Sequence, residues 1–290
     1  MSQGLADADL VRRLVDEQCP ELAGAVSVFA QGWDNTVFAL GEDYLVRMPC
    51  REIGAALLAG EQWALPPIAA VLRESGIQIE LPIPVYCGIP SKEYPWRWSV
   101  VPRLAGRVAY SLPAPQREPA ARLLAATLTT LHAGGDALNA PVNSFRNGHI
   151  GDLPTPGLAP VTGETYAGIE PASVLQAWRA WSSAPRWARD PVAIHGDVHA
   201  GNVLCDPVAL IDWGDTTAGD PAVDLAAAWT VFEGPGAAAF VDEATRRAGY
   251  GEATWHRARA WALRTAVLIA GGPDTPLRAE SPRILRALLA

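Results

Sequence analysis

The pattern of apolar residues changes near residue 106, from short strand-like runs before it to helical spacing after it. Before that point the chain carries five short runs rich in β-branched and aromatic residues, a composition typical of strands, at 26–30, 36–40, 44–49, 83–89 and 96–104. Gly41-Glu42-Asp43 separates the second run from the third and is typical of a three-residue hairpin. The amino-terminal part is therefore predicted to form a small sheet of about five strands.

Two segments of this part have helical spacing instead. Residues 7–18 place apolar side chains on one stripe, which predicts an amphipathic helix covering the sheet. Residues 52–65 predict a helix that is inserted between strands. Pro66 and Pro67 are expected to end it, and a second helix is expected to start with them, because proline suits a first helical turn.

Beyond residue 106 helical patterns dominate, at 118–135, 171–183, 221–232, 237–248, 252–271 and 281–289. Residues 139–169 are rich in Pro, Gly and Thr and predict a long irregular excursion. The chain is thus expected to form a small β-rich lobe over residues 1–101 and a larger helical lobe over 107–290. Residues 102–106 would connect the two lobes.

Composition excludes several classes of protein. With 290 residues, 49% hydrophobic and 19% charged, the chain can bury two cores and is unlike a disordered protein. A net charge of −8 argues against nucleic acid as a partner. Four scattered cysteines indicate free thiols in a reducing compartment. With no visible signal peptide and no apolar run of about 18 residues, we expect a cytoplasmic protein without a membrane partner.

The residues that carry chemistry are concentrated in "IHGDVHAGNVLCDPVALIDWGD" (194–215). Asp197 and Asn202 are five residues apart, as in the catalytic loop of kinases. Phosphoryl transfer to a hydroxyl needs a carboxylate that orients the hydroxyl and oxygen ligands for magnesium. Apolar runs on either side of Asp206-Pro207 predict a tight hairpin that returns the chain to Asp212, a second candidate magnesium ligand.

A zinc hydrolase is the competing interpretation of the same stretch. His195, Asp197 and His199 could bind zinc, since His and Asp are both zinc ligands. A two-metal hydrolase usually needs further ligands, and the other three histidines lie alone in unrelated contexts. The pattern therefore favours phosphoryl transfer.

"HGDVHAGNVL" (195–204) and "IDWGDTTAGDPAVDLA" (211–226) resemble the hallmark motifs of the aminoglycoside phosphotransferase superfamily of small-molecule kinases. "GWDNTVFALGEDYLVRMP" (32–49) resembles members that modify antibiotics. The resemblance implies an α+β, bilobal, protein-kinase-like fold with Mg²⁺ and with ATP or GTP as co-substrate between the lobes.

The superfamily does not determine the substrate. Its members act on aminoglycosides, macrolides, choline, homoserine and fructosamines. We expect an antibiotic of the aminoglycoside or macrolide type. A small metabolite such as an amino alcohol, sugar or amino acid, and a non-catalytic nucleotide-binding role, remain alternatives. The oligomeric state stays open.

The resemblance also implies a role for particular residues. Asp197 matches the catalytic base, and Asn202 and Asp212 match the magnesium ligands. Arg47 stands where a strand lysine normally grips the phosphates, and Arg keeps that charge with a two-pronged grip. Glu61 fits the helix glutamate that pairs with it.

Three further residues match positions that support the catalytic loop. His195 matches a loop histidine that is usually structural. Asp220 is expected to cap the following helix, and Asp224 to bond back to the loop.

The remaining candidates concern the nucleotide and the acceptor. Asn35 and Thr36 lie in a loop that is expected to cover the phosphates, although a plain hairpin loop explains the pattern equally well. Backbone groups of Val101 to Arg103 are expected to hold the purine edge, and Pro102 removes one donor there.

Asp215, His199 and Glu233 are the candidate substrate contacts. Asp215 could meet a cationic substrate or only satisfy local amides. His199 could face substrate or, with slight preference, solvent.

Overall fold

A five-stranded antiparallel sheet forms the amino-terminal part of the computed structural model, with strand order β1-β2-β3-β5-β4. The structure describes residues 6–32, 34–134, 143 and 146–290. The strands are β1 (Val26–Gln31), β2 (Asn35–Leu40), β3 (Tyr44–Pro49), β4 (Tyr86–Gly88) and β5 (Trp98–Pro102). The predicted five-stranded sheet is confirmed, although β4 is only three residues long.

Helix α1 (Ala8–Gln18) covers this sheet, as its apolar stripe predicts. The Asp7 side chain accepts a hydrogen bond from the Leu10 N–H (2.8 Å) and so caps the first turn. Leu14 and its apolar neighbours are buried in one cluster with Phe38 and Trp98 of the sheet. Burial of this stripe anchors the helix.

Helix α2 (Glu52–Glu74) is one continuous helix, so the predicted break at Pro66 and Pro67 is wrong. Each interior proline costs about 3 kcal/mol of helix stability. Buried side chains continue along the core face on both sides of the prolines, at Leu58, Leu65, Ile68 and Leu72. Each contributes roughly 1.5–3 kcal/mol when fully buried. Their packing therefore outweighs the loss and carries the helix through both prolines.

The second half of α2 belongs to the core of the carboxy-terminal part. Leu65 and Ile68 pack in one cluster with Leu124 and Leu128. By length and composition alone α2 could cross a membrane. It also carries the fully buried carboxylate of Glu61, so we interpret it as a core helix. The lobe boundary at 102–106 stays a prediction, and the larger core crosses it.

The carboxy-terminal part is mainly helical. Its helices are α3 (Ala114–Arg117), α4 (Ala121–Ala133), α5 (Pro171–Ser182), α6 (Ala222–Leu225), α7 (Ala227–Thr230), α8 (Gly234–Ala248), α9 (Glu252–Gly271) and α10 (Glu280–Leu289). Its short strands are β6 (Arg107–Val108), β7 (Val192–Ile194), β8 (Val203–Cys205), β9 (Ala209–Leu210) and β10 (Thr217–Gly219).

Two of the predicted helices differ from the structure. The one expected at 118–135 starts as α helix only at Ala121, after a 3₁₀ turn that contains Pro119. The one expected at 221–232 is divided into α6 and α7. The described part of the excursion at 139–169 holds only 3₁₀ turns, while residues 139–142, 144 and 145 lie outside the described residues.

Candidate functional site

The loop at 195–202 runs from β7 to β8, and the hairpin β8–β9 brings the chain back beside it. Val203 pairs with Leu210 in this hairpin, as predicted. The Ile211 N–H then donates to the Asn202 carbonyl oxygen (2.9 Å). Asp212 is the next residue after Ile211, so it lies beside Asn202. The local fold brings Asn202 and Asp212 to the same place, although ten residues separate them.

Asp197 lies at the centre of the site. Its Oδ1 atom accepts a hydrogen bond from Arg146 Nη2 (2.7 Å). Its Oδ2 atom lies 3.3 Å from Asn202 Nδ2 and 3.4 Å from His199 Nε2. Burial disfavours the charged form, but Arg146 and His199 together hold the pKa of Asp197 well below its ordinary value. An ionised carboxylate at this position can accept the proton of a hydroxyl group.

Arg146 is a site residue that the sequence analysis missed. Its guanidinium contacts Asp197 and also Asp215 Oδ2 (3.2 Å). Asn143 from the same segment donates to Asp215 Oδ1 (2.6 Å). Both residues lie in the irregular excursion, more than fifty positions before the carboxylates they contact. No local periodicity or motif marks them, so the signal is absent from the sequence pattern.

Arg47 connects the sheet to the carboxy-terminal part. Its Nη2 atom lies 3.0 Å from Glu61 Oε2 and 2.8 Å from Asp212 Oδ1. The predicted Arg47–Glu61 ion pair is confirmed. Burial raises the pKa of Glu61 to about 7, and Asp212 adds to this while Arg47 opposes it. The cluster holds two carboxylates for one guanidinium, so a cation beside Asp212 would balance its charge.

Asn202 and Asp212 fit magnesium. Asn202 Nδ2 donates to the Asp197 backbone oxygen (2.9 Å), which leaves the amide oxygen as a ligand. The Asp212 side chain is 50% exposed, so one of its oxygens is accessible. Magnesium prefers such oxygen donors and commonly completes its shell with substrate phosphates and water. The described residues contain no group of three or more His, Cys, Asp and Glu that could hold a metal without such help.

His195 is structural, which removes one ligand from the zinc interpretation. Its Nε2 atom lies 3.1 Å from the Ile211 carbonyl oxygen. Its Nδ1 atom accepts from the Asp197 N–H (3.2 Å). The ring is fully buried, and its centroid lies 4.6 Å from that of Trp213. Both nitrogens are therefore used within the loop.

Asp224 supports the loop at 195–202 from α6, as predicted. Its two carboxylate oxygens accept hydrogen bonds from the His195 and Gly196 N–H groups, each at 2.9 Å. His132 Nε2 lies 3.0 Å from the same carboxylate. Because Asp224 is fully buried, these partners stabilise its charge. The two N–H groups also fix the position of the loop residues that precede Asp197.

Asp220 caps the start of α6, which confirms that prediction as well. Its Oδ1 atom accepts from the Ala222 N–H (3.0 Å). Arg257 of α9 forms a buried ion pair with the same carboxylate. The cap is therefore also a link between α6 and α9.

Asn35 and Thr36 are the first two residues of β2, so the strand predicted at 36–40 begins one residue earlier and Asn35 belongs to it and not to the preceding loop. The Gly32 N–H donates to the Asn35 carbonyl oxygen (2.8 Å) and closes the turn before them. Asn35 Oδ1 and Thr36 Oγ1 are buried without a hydrogen-bond partner. A buried polar atom without a partner costs about 1–3 kcal/mol. These two atoms are therefore suited to a ligand, and their contact with phosphate stays a prediction.

The expected purine contacts of Val101 and Arg103 stay a prediction, but the N–H groups of these two residues are not available as donors. The Arg103 N–H donates to the Asp43 carbonyl oxygen (2.7 Å). Hydrogen-bonded pairs alternate along antiparallel strands, so the Leu45–Val101 pair two residues away is bonded as well. The N–H groups of Val101 and Arg103 are thus already used within the sheet.

Asp215 and His199 lie at the site, but neither has the surroundings expected for it. Among the described residues, the Asp215 carboxylate pairs with Asn143 and Arg146 and not with local amides, and burial raises its pKa. His199 is largely buried, so the preference for solvent is wrong. Its Nδ1 accepts from the Gly201 N–H (3.0 Å), which directs Nε2 towards Asp197.

Glu233 does not join this group. It precedes α8, and its carboxylate lies 3.7 Å from Arg283 of α10. Among the described residues it forms no ion pair or hydrogen bond with the loop at 195–202. Its assignment as a substrate contact is therefore not supported by its position.

A cavity of about 520 Å³ opens beside this carboxylate cluster. Its walls come from the residue before β2, from α2, from the segment after Asp212, and from α9. The lining residues include Asp34, Ile53, Arg146, Asp215, Trp261, Arg264 and Leu268. The volume suits a small organic molecule. Arg146, which lines the cavity, also contacts the candidate base Asp197.

Comparison with known proteins agrees with this geometry. The model of the phosphotransferase enzyme family matches residues 25–261. Thiamine kinase of Shigella boydii serotype 4 (strain Sb227) is 33% identical over 109 residues. That match spans 35% of this chain and 40% of the thiamine kinase.

Solved structures match over almost the whole chain. The GDP complex of wild-type aminoglycoside 2'-phosphotransferase-IIIa superposes with a TM-score of 0.67 at 18% identity, over 98% of this chain and 99% of that one. Macrolide 2'-phosphotransferase MphH from Brachybacterium faecium, an apoenzyme, superposes with a TM-score of 0.61 at 18% identity, over 95% and 98%. At these identities the likeness shows the fold alone, which is the predicted protein-kinase-like α+β fold.

Proposed function

Because this chain belongs to the phosphotransferase enzyme family, we propose that it transfers the γ-phosphoryl group of ATP or GTP to a hydroxyl of a small molecule in a magnesium-dependent reaction. One observation carries the proposal. Asp197, kept ionised by Arg146, lies beside Asn202, while Asp212 contacts the Arg47–Glu61 pair. The base, the metal ligands and the phosphate-binding cation of a kinase thus converge on one site.

Asp197 orients the acceptor hydroxyl and receives its proton. The hydroxyl oxygen then bonds to the γ-phosphorus, the bond from that phosphorus to the bridging oxygen breaks, and ADP or GDP leaves. Arg47 holds phosphate oxygens, and Glu61 keeps its guanidinium in place. Asn202 and Asp212 would hold Mg²⁺, which neutralises charge on the phosphates when bound.

Two classes of acceptor are supported by the comparisons. The names of the structural neighbours support an aminoglycoside or macrolide. The partial match to thiamine kinase supports a small metabolite with a free hydroxyl. A non-catalytic nucleotide-binding role has less support, because the base and both metal ligands are present together.

The test is nucleotide consumption with magnesium. ATP and GTP are offered separately against aminoglycosides, macrolides, thiamine, and small amino alcohols and sugars, with Asp197→Asn as control. Consumption that depends on one acceptor and disappears in the variant supports the proposal and identifies the acceptor class. If neither nucleotide binds, the proposal is wrong.

A further inference from the structure

The cavity of about 520 Å³ described above is called the acceptor cavity here. Its two carboxylates, Asp34 and Asp215, already form ion pairs with arginines of the protein. Asp34 forms an ion pair with Arg51. Asp215 accepts hydrogen bonds from Asn143 and Arg146. A cationic substrate entering the cavity would find these two carboxylates neutralised and would have to displace a guanidinium to reach either of them.

The polar groups of the cavity that lack a partner among the described residues are hydrogen-bond donors. Arg264 of α9 is half-buried and forms no ion pair or hydrogen bond with any described residue. Burial disfavours the charged form of Arg264, and the nearby cation Arg146 repels it, so both lower the pKa of Arg264. Trp261 is 3% exposed, and its indole Nε1 has no hydrogen-bond partner in the part of the chain that the structure describes. Arg146 Nε is also buried without one.

Part of the cavity lining is apolar. Ile53 of α2 is 43% exposed and Leu268 of α9 is 56% exposed, and both line the cavity. Large aliphatic side chains left open at a cavity wall are suited to an apolar part of a ligand. The cavity thus combines apolar side chains with unpaired donors, and one of its lining residues, Arg146, contacts the candidate base.

We propose that the acceptor substrate is a hydroxy acid: a molecule with an apolar body, a hydroxyl presented to Asp197, and an anionic group, such as a carboxylate, bound by Arg264 and Trp261. The proposal rests on the kinase function proposed above and, of the acceptor classes named there, favours a small metabolite over a cationic aminoglycoside. An anion would supply hydrogen-bond acceptor atoms for Arg264 and for the indole N–H of Trp261. A polyamine would instead meet two guanidinium groups with no free carboxylate.

The experiment uses three small probes that share one ring and one hydroxyl: hydroxymethyl-benzoate, its carboxamide, and its benzylamine analogue. Binding of each to the full chain with magnesium and a non-hydrolysable nucleotide is measured by calorimetry. The wild type is compared with Arg264→Gln. Arg259→Gln is the matched control, because Arg259 lies on the same helix, is also partly buried, and stacks on the Trp229 ring.

We expect the carboxylate to bind roughly tenfold to a hundredfold more tightly than the amine, as for a hydrogen bond between charged groups. Arg264→Gln should abolish that preference, and Arg259→Gln should retain it. Equal or tighter binding of the amine, a preference unchanged in Arg264→Gln, or no binding of any probe would overturn the proposal.

Nucleotide binding is measured first in the same protein. Failure of both ATP and GTP to bind would count against the kinase itself. Normal nucleotide binding with a preference for the amine would count only against the anionic acceptor.

Discussion

The guanidinium of Arg146 lies 2.7 Å from the Oδ1 atom of Asp197, so the candidate base shares its carboxylate with a cation from a distant segment. Arg146 and His199 lower the pKa of Asp197, and burial opposes them. The base is therefore ionised over the whole neutral and mildly acidic range. This arrangement makes the pH dependence of turnover a direct test of the ion pair.

We expect Arg146→Gln to move the acidic limb of kcat/KM to higher pH. Loss of the cation raises the pKa of Asp197, so the base becomes protonated earlier as pH falls. The measurement is a pH profile of turnover for both proteins. Arg186→Gln is the control, since Arg186 pairs with Asp152 at the surface. An unchanged acidic limb would contradict the assigned role of Arg146.

The same pair should change the acid stability of the protein. Since the folded-state pKa of Asp197 lies below its unfolded value, its contribution to stability is complete above the unfolded pKa. It is lost as pH falls through the folded pKa. We expect the free energy of unfolding of Arg146→Gln to depend less on pH in this acidic range, as measured by urea titrations at several pH values.

Asp197→Asn should lower kcat by roughly 10²–10⁴-fold, the usual contribution of a general base. Nucleotide affinity should persist, because Arg47 and Glu61 are unchanged. Single-turnover kinetics and nucleotide titration separate the two effects. Asp190→Asn, at an exposed position, should leave both unchanged. Wild-type turnover of Asp197→Asn would show that another group takes the proton.

Glu61→Ala should destabilise the protein by less than the roughly 3–5 kcal/mol that an unpaired buried charge costs, because the guanidinium of Arg47 loses one carboxylate but keeps Asp212. The KM for nucleotide should rise as well, since Arg47 is no longer held in place. Urea unfolding and steady-state kinetics measure the two effects. Glu42→Ala, in the exposed hairpin turn, should change neither. A Glu61→Ala protein of normal stability would contradict the buried ion pair.

Gly196→Ala should impair turnover much more than Gly168→Ala. Both glycines have a positive φ, +90° and +81°, so both substitutions introduce similar backbone strain. An added Cβ at Gly196 would lie 2.6 Å from the Asp215 backbone oxygen, whereas nothing lies within 4 Å at Gly168. The clash would displace the loop next to Asp197. Equal kcat values for the two variants would show that this close approach is unimportant.

The errors in the sequence analysis have a common cause. Pro66 and Pro67 were expected to end a helix, but burial of the core face of α2 on both sides carries it through them. Backbone groups of Val101 and Arg103 were expected to be free for a purine, but their N–H groups pair with Leu45 and Asp43. In each case a local preference was correct in isolation and was outweighed by a contact with another element.

The sequence by itself determined the residues whose geometry is local. Asp197, Asn202 and Asp212 come together because one short loop and one tight hairpin, both visible as spacing and apolar pattern, place them there. The five strands and most of the helices follow from the same periodicity, since each element buries its own apolar face.

Only the tertiary structure decided what surrounds those residues. Arg146, Asn143 and Arg264 reach the site from segments far away in the chain, and nothing in their local sequence indicates it. Charge and burial at a point in space depend on every element that packs there. The pairing of Asp197 with a cation, and the unpaired donors of the acceptor cavity, therefore appear only when the whole chain is folded.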